Sequence, residues 1–392
     1  MERKHFEEVL AKYATPSYVF DLDILRERVM LINKYIGDVA ETCYAMKANP
    51  FVIAPMDGYV DKFEVCSPGE YEICMRNKID PAKIVVSGVN KTVQSMDRIV
   101  SLSGGKGVFT IESIRHYEVL EEIAAKYQVK LDVLIRLSSG NQFGVDKANL
   151  ELIAGKVAKS QWLSLSGMHF YSGTQKKLTK VEKEIRMLDD YAGELADKYG
   201  ISGLELEYGP GLSVTYFESD AQADDEGQLK ELKEILTSVR NYAHITIEMG
   251  RFIATHCGYF ITKVIDVKQT EGHNYCIVDG GIHQLNYFGQ LMGMKRPYME
   301  LVSECKEDTE DKWNICGSLC TVNDVIVKDA LFPTVHRDDA FVFKNCGAYS
   351  VTEGMALFLS RELPQVLFYS GMDGFSVVRE LTGTDYINSL KL

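Results

Sequence analysis

From about residue 40 to 255 the apolar and polar positions follow one repeated rhythm: a short β-rich apolar run, a Gly, Ser or Asn, then a longer stretch whose apolar residues recur at three and four. The runs are TCYAMK (42–47), KFEVCS (62–67), KIVVSG (83–88), GVFTIES (107–113), LDVLIRL (131–137), LSLSGMHFYSG (163–173), LELEYGPG (204–211) and ITIEMGR (245–251). Each repeat predicts a strand followed by a helix, and eight such units is the number that closes a parallel barrel. Two of the helices are expected over 177–200, stopping at Gly200, and over 228–243. After Phe252 the rhythm changes to alternating strands without long helices: GYFITKVIDVKQ, YCIVDGG, TVNDVIVKD and DAFVFKNCGAYS. The expected fold is α/β, with a (β/α)8 barrel over residues 25–260 and a separate antiparallel β domain over 261–392. TPSYVFD (15–21) is also strand-like, so residues 1–24 are expected to join the β domain before the chain enters the barrel.

Bulk composition narrows the function classes. A chain of 392 residues fits two domains, with length to bury a small-molecule pocket. The formal net charge of -13 argues against nucleic acid or an anionic membrane as partner, since either needs a basic surface. Nine cysteines, an odd number with no CxxC pair, suit a reducing compartment better than a disulfide framework. Cys316 and Cys320 are four apart, but no second pair at ligand spacing accompanies them, so no metal is expected. The opening MERKHFEEVLAKYATPSYVFD has no apolar signal core, and no apolar run is long enough to span a bilayer. A cytoplasmic protein is expected.

In such barrels the active site lies at the carboxyl ends of the strands, where the βα loops converge. Those ends carry Lys47, Glu64 with Ser67, Ser87 with Gly88, Arg136, His169 with Tyr171, Gly209 with Gly211, and Glu248 with Gly250 and Arg251. Lys47 follows an apolar strand and precedes Ala-Asn-Pro, so its amine is expected in the barrel mouth, where a lysine of lowered pKa can form a Schiff base. Standing alone it reads more readily as a strand-end lysine reaching solvent. The turns at Gly209-Pro210-Gly211 and Gly250-Arg251 can offer backbone N–H groups to a phosphate in the seventh and eighth loops, or serve simply as tight turns. Glu248 is suited to keep a pyridine nitrogen protonated, or to pair with Arg251 for stability. In the second half, CGSLCTVND (316–324) and NCGAYS (345–350) set small residues beside Cys320, Asp324 and Tyr349, and Asp279-Gly280-Gly281 reads as a hairpin turn or a site edge.

Taken together, these motifs resemble the fold type III pyridoxal-phosphate decarboxylases, the group of diaminopimelate and ornithine decarboxylases, in the same order over nearly the whole chain. CYAMKANP looks like the cofactor-lysine strand, which gives Lys47 the Schiff-base role. GMHFYSGTQ (167–175) resembles Gly-x-His-x-His-x-Gly-Ser, implying cofactor contacts from His169, Tyr171 and Thr174. EYGPGL (207–212) resembles the triple-glycine phosphate turn, and IEMGRF (247–252) resembles Glu-Pro-Gly-Arg, with Glu248 at the pyridine nitrogen and Gly250 and Arg251 near the phosphate. LCTVND resembles the segment that a partner subunit inserts, with Cys320 as general acid, while GAYS places Tyr349 at the phosphate. The resemblance implies pyridoxal 5'-phosphate as cofactor, an alanine racemase-like arrangement whose second domain is a β-barrel, and a homodimer with composite active sites.

Departures from the pattern bear on substrate more than on reaction. Tyr171 stands where the family usually stacks a histidine on the cofactor, and Pro210 replaces the middle glycine of the phosphate turn, removing one N–H donor. Thr321 sits where an acidic residue would grip a distal amine, and a neutral hydroxyl cannot supply that contact. Thr321, Asp324 and Arg136 are the substrate candidates. The Arg-Pro-x-x-Tyr segment is not clearly reproduced in GGIHQLNYFGQLMGMKRPYM (280–299). These features look most like the branch containing the glutamyl-carrier-protein decarboxylase of butirosin biosynthesis. The expected substrate is therefore meso-diaminopimelate or a specialised or carrier-protein-linked amino acid. A racemase of the same fold is disfavoured by Glu248, and a non-catalytic cofactor-binding protein by the β domain with Cys320 and Tyr349.

Overall fold

The computed structural model describes residues 1–287, 293–305 and 310–390. It divides into two compact units, one of Met1–Glu27, Thr215–Gln222 and Ala254–Leu392, the other of Arg28–Val214 and Ala223–Ile253. The first unit opens with the helix Arg3–Lys12 and strand β1 (Ser17–Asp21).

The second unit is a closed barrel of eight parallel strands in sequence order: β2 (Glu41–Ala45), β3 (Lys62–Val65), β4 (Ile84–Val86), β5 (Val108–Ile111), β6 (Leu131–Arg136), β7 (Leu163–Tyr171), β8 (Glu205–Gly209) and β9 (His244–Met249). All eight expected runs form these strands. Their nearly continuous burial follows from a core that packs one face and helices that cover the other. The helices start where the sequence supplies an acceptor: Ser67, Thr92, Ser113, Asp146 and Asp224 each accept an N–H of the first turn. The helix Leu178–Tyr199 ends on Gly200 in the left-handed conformation, as its sequence predicts. The following helix is Asp225–Thr237, earlier and shorter than the 228–243 that periodicity suggests. Its start is fixed by the Asp224 cap, and beyond Ser238 the N–H groups of Arg240 and Asn241 donate instead to the Asp189 carboxylate, which draws the chain out of the helix.

The first unit continues through β10 (Gly258–Thr270), β11 (His273–Val278), β12 (Met299–Val302), β13 (Glu310–Cys316), β14 (Val325–Pro333), β15 (Ala340–Phe343), β16 (Gln365–Ser370) and β17 (Gly374–Arg379). These strands and β1 form a nine-stranded sheet in the order β14-β13-β11-β10-β1-β16-β17, with β15 also on β10 and β12 on β15. Strand β1 lies between β10 and β16, so the N-terminal strand does belong to the β sheet. The pairings are antiparallel except β1 with β16 and β11 with β13, which are parallel. Neither parallel pair is joined by a hairpin, so no tight turn imposes the antiparallel direction that the sequence pattern suggests. The helix Arg3–Lys12 packs Phe6 and Val9 against Val19, Ile261, Val342 and Leu367, each apolar side chain stabilising by about 1.5–3 kcal/mol on full burial. Among the described residues no helix is long and apolar enough to cross a membrane.

One backbone contact of the barrel is especially close. Gly167 of β7 pairs with Glu205 of β8, and a Cβ there would lie 1.9 Å from the Glu205 carbonyl oxygen. Gly167→Ala is expected to lower stability by roughly 3 kcal/mol or more, read as a shifted denaturant midpoint; an unchanged midpoint would contradict this packing.

Candidate active site

Strand β2 gives way after Ala45 to a single 3-10 turn, Met46–Ala48, which carries Lys47 out of the buried strand with its side chain 35% exposed. The Nζ atom donates to Glu64 of β3 and, at 3.1 Å, to Glu248 Oε1 of β9. Both carboxylates are almost wholly buried. The other Glu248 oxygen accepts from His169 Nε2 of β7 at 3.0 Å. Burial pushes the Glu248 carboxyl up, but the Lys47 ammonium and the His169 hydrogen bond outweigh it and hold the group well below the ordinary carboxylate range. Glu248 is therefore an anion. Glu207, on the neighbouring strand β8, is the reverse case: burial, then the charges of Glu248 and Glu64, push its carboxyl far up, toward the neutral form. Cys66 stands 3.8 Å from Lys47 Nζ and donates to Glu64 Oε1 at 3.0 Å. Its thiol is held protonated, first by burial and then by Glu64.

The glycine turns close around this group. A Cβ on Gly209 would come within 2.5 Å of the Tyr171 ring, and Gly211, at φ +58°, would put one 2.2 Å from the Gly173 oxygen. At Gly250 a Cβ would lie 2.9 Å from that of Ala48, beside Lys47. The half-buried Tyr171 ring thus lies against bare backbone, its hydroxyl pushed up by burial and next by Glu248. Arg251 opens the short helix Arg251–Ala254, and Thr174 is half-buried in the loop after β7.

Arg136 is buried, paired with Glu112 at 3.3 Å and stacked over Phe143. Asp324 belongs to the first unit and accepts from the N–H groups of Ile282 and Leu319 at 2.9 and 2.8 Å. It organises a turn. Asp279 likewise binds Thr262 and Lys263, as a connection between strands would. Cys320 is exposed and Thr321 half-buried in the turn before β14, and Tyr349 is half-buried with φ +69° in the first unit. Of the 280–299 segment, residues 288–292 lie outside the described residues.

A lysine at the barrel mouth, an ionised buried carboxylate beside it and turns of bare glycine backbone fit a cofactor with an aldehyde, a basic ring nitrogen and a phosphate. The family described as pyridoxal-dependent decarboxylase, pyridoxal binding domain, matches residues 22–255. The chain belongs to that family. Its cofactor is pyridoxal phosphate and it is a carboxy-lyase. The L-glutamyl-[BtrI acyl-carrier protein] decarboxylase of Niallia circulans is 23% identical over 100% of this chain and 97% of its own. The diaminopimelate decarboxylase of Aquifex aeolicus is 26% identical over 99% and 94%. The crystal structure of the Helicobacter pylori diaminopimelate decarboxylase complexed with L-lysine superposes with a TM-score of 0.84 at 21% identity, covering 97% of this chain and 98% of that one, which shows the shared fold.

Sequence reasoning places Glu64 at a strand end without seeing that it reaches Lys47, and it passes over Cys66 and Glu207. Strand alternation was the available signal, since residues 64 and 66 face the same side of a strand. It also passes over Lys91, a buried lysine bound to the Gly88 oxygen at 2.6 Å and Thr110 Oγ1 at 3.1 Å. Burial pushes its amine from the ordinary 10.5 down to about 8. Between these two values the unfolded chain holds more proton than the folded one, so stability rises with pH across the window and is lost as pH falls through it. Relative to Lys91→Met, the wild type is expected to gain on the order of 3 kcal/mol from pH 8 to 10.5 in denaturant titrations; parallel pH profiles would refute the burial of a charged amine.

Proposed function

We propose that this chain removes the α-carboxylate of an amino acid as carbon dioxide, with Lys47 holding the cofactor and Glu248 facing its ring nitrogen. The observation that supports this is the Lys47 amine set between the buried carboxylates of Glu64 and Glu248. When bound, pyridoxal phosphate supplies an aldehyde for an amine and a ring that accepts the electron pair released by decarboxylation. The protein supplies the rest. Glu248, already ionised, holds a proton at the ring nitrogen, and His169 fixes the carboxylate by taking its second oxygen. Glu64 accepts the proton that the Lys47 ammonium must shed before it can act as a nucleophile. Tyr171 offers a flat face to the ring, and Gly209, Gly211, Gly250, Arg251, Thr174 and Tyr349 are assigned to the phosphate end.

Cys320 is assigned as the acid that returns a proton to the α-carbon, delivered from a second copy in a homodimer with composite sites. Its exposure on a turn of the first unit supports that use. Nine free cysteines support a cytoplasmic location. Thr321 offers no charge to a distal ammonium, which favours a specialised or carrier-protein-linked amino acid, the class named for the Niallia circulans relative. meso-Diaminopimelate is the second reading, favoured by the Aquifex aeolicus relative.

Lys47→Ala is expected to abolish both turnover and the absorbance of bound cofactor; retention of both would refute the assignment. Glu248→Gln should keep the cofactor but lower kcat by about a hundredfold or more. Release of carbon dioxide from meso-diaminopimelate, lysine, ornithine and glutamyl-carrier protein is expected to be fastest with the tethered substrate, and loss of optical rotation without gas would indicate a racemase. Mixing inactive Lys47→Ala and Cys320→Ala proteins should restore roughly a quarter of wild-type activity through heterodimers with one intact site, whereas no recovery would argue against shared sites.

A further inference from the structure

We propose that Lys176 is a positioning residue for the phosphate end of the cofactor: it grips the Tyr208-Gly209-Pro210-Gly211 turn and draws both glycine carbonyls away from the anion. The proposal rests on the assignment of that turn to the phosphate.

Lys176 lies in the loop after β7, and its side chain is only 3% exposed. Its Nζ donates to the Gly209 oxygen at 2.9 Å, and its main-chain N–H donates to the Gly211 oxygen at 2.9 Å. A single residue thus takes the carbonyls of both glycines. The grip is extended by the neighbouring Gln175, whose side chain accepts from the Val214 N–H at 2.8 Å and donates to the Val214 oxygen at 3.0 Å. The fit is tight, since a Cβ on Gly211 would lie 3.1 Å from Lys176 Cε.

The chemistry of an anion-binding turn gives this arrangement its meaning. Such a turn binds through backbone N–H groups, and any carbonyl facing the anion opposes them. Pro210 has no N–H to contribute, so the turn has fewer donors with which to offset a misdirected oxygen. Charge does not explain the lysine, because Glu184 accepts from Lys176 at 2.8 Å and makes a neutral pair with it. Ser172 and Tyr208 also donate to Glu184, which fixes the carboxylate that in turn fixes the amine. A buried ion pair is not a stability device in itself, as apolar side chains of equal volume commonly do as well. What Lys176 supplies, and an apolar residue would not, is a donor for the Gly209 carbonyl.

The test compares binding of pyridoxal phosphate and of pyridoxal, which lacks the phosphate, to cofactor-depleted full-length protein, followed by absorbance. Lys176→Met keeps the main-chain bond to Gly211 and removes the side-chain bond to Gly209. It is expected to weaken pyridoxal phosphate about tenfold or more while moving pyridoxal less than about twofold. The double variant Lys176→Met with Glu184→Gln removes the stranded carboxylate; it should recover thermal stability but not the preference for the phosphorylated cofactor, and it carries the test if the single variant does not fold. Equal weakening of both cofactors, or a double variant with the wild-type preference, would overturn the role of Lys176. Wild-type protein that binds pyridoxal as tightly as pyridoxal phosphate would overturn the phosphate turn itself, and the inference with it.

Discussion

A primary amine wedged between two buried carboxylates is the constraint around which the barrel unit is organised. An unpaired charge at such depth would be costly, so Lys47, Glu64 and Glu248 are stable there only together. They can meet only because the barrel closes. Lys47 and Glu248 are 201 positions apart in sequence, and they become neighbours through the pairing of the first and last barrel strands, Cys43 against Glu248 and Tyr44 against Met249. Closure of the sheet and assembly of the site are the same event.

The same neighbourhood separates two carboxyl groups by environment. Glu248 is held ionised because cationic and N–H partners reach it, whereas burial and the charges of Glu248 and Glu64 push Glu207, one strand away, toward its neutral form. Two identical side chains thus carry different charge at one pH, as acid and base assignments in a shared pocket require. The cysteine at 66 remains a thiol for the same reason: a thiolate there would face Glu64 across 3.0 Å.

The barrel was legible because its strands are buried on both faces and read as compact apolar runs, so all eight appear in the sequence at their observed places. Lys47, His169 and Glu248 were legible because strand ends in a barrel converge. The helix after β8 was mislocated because side-chain caps at Asp224 and Asp189, which act over one turn or through tertiary contact, override periodicity. The β unit was legible as strands but not as a pairing scheme, since β1 and β16 meet from opposite ends of the chain. The partners of Arg136 and Asp324, Glu112 and the N–H groups of Ile282 and Leu319, are known only once the chain is folded.

The position of β1 also orders events in time. It is made before the barrel, yet its neighbours β10 and β16 are made after the whole barrel. At typical elongation rates its edges wait on the order of tens of seconds for a partner. During that interval the Tyr-Val-Phe stretch of β1 has neither of its sheet partners to pair with.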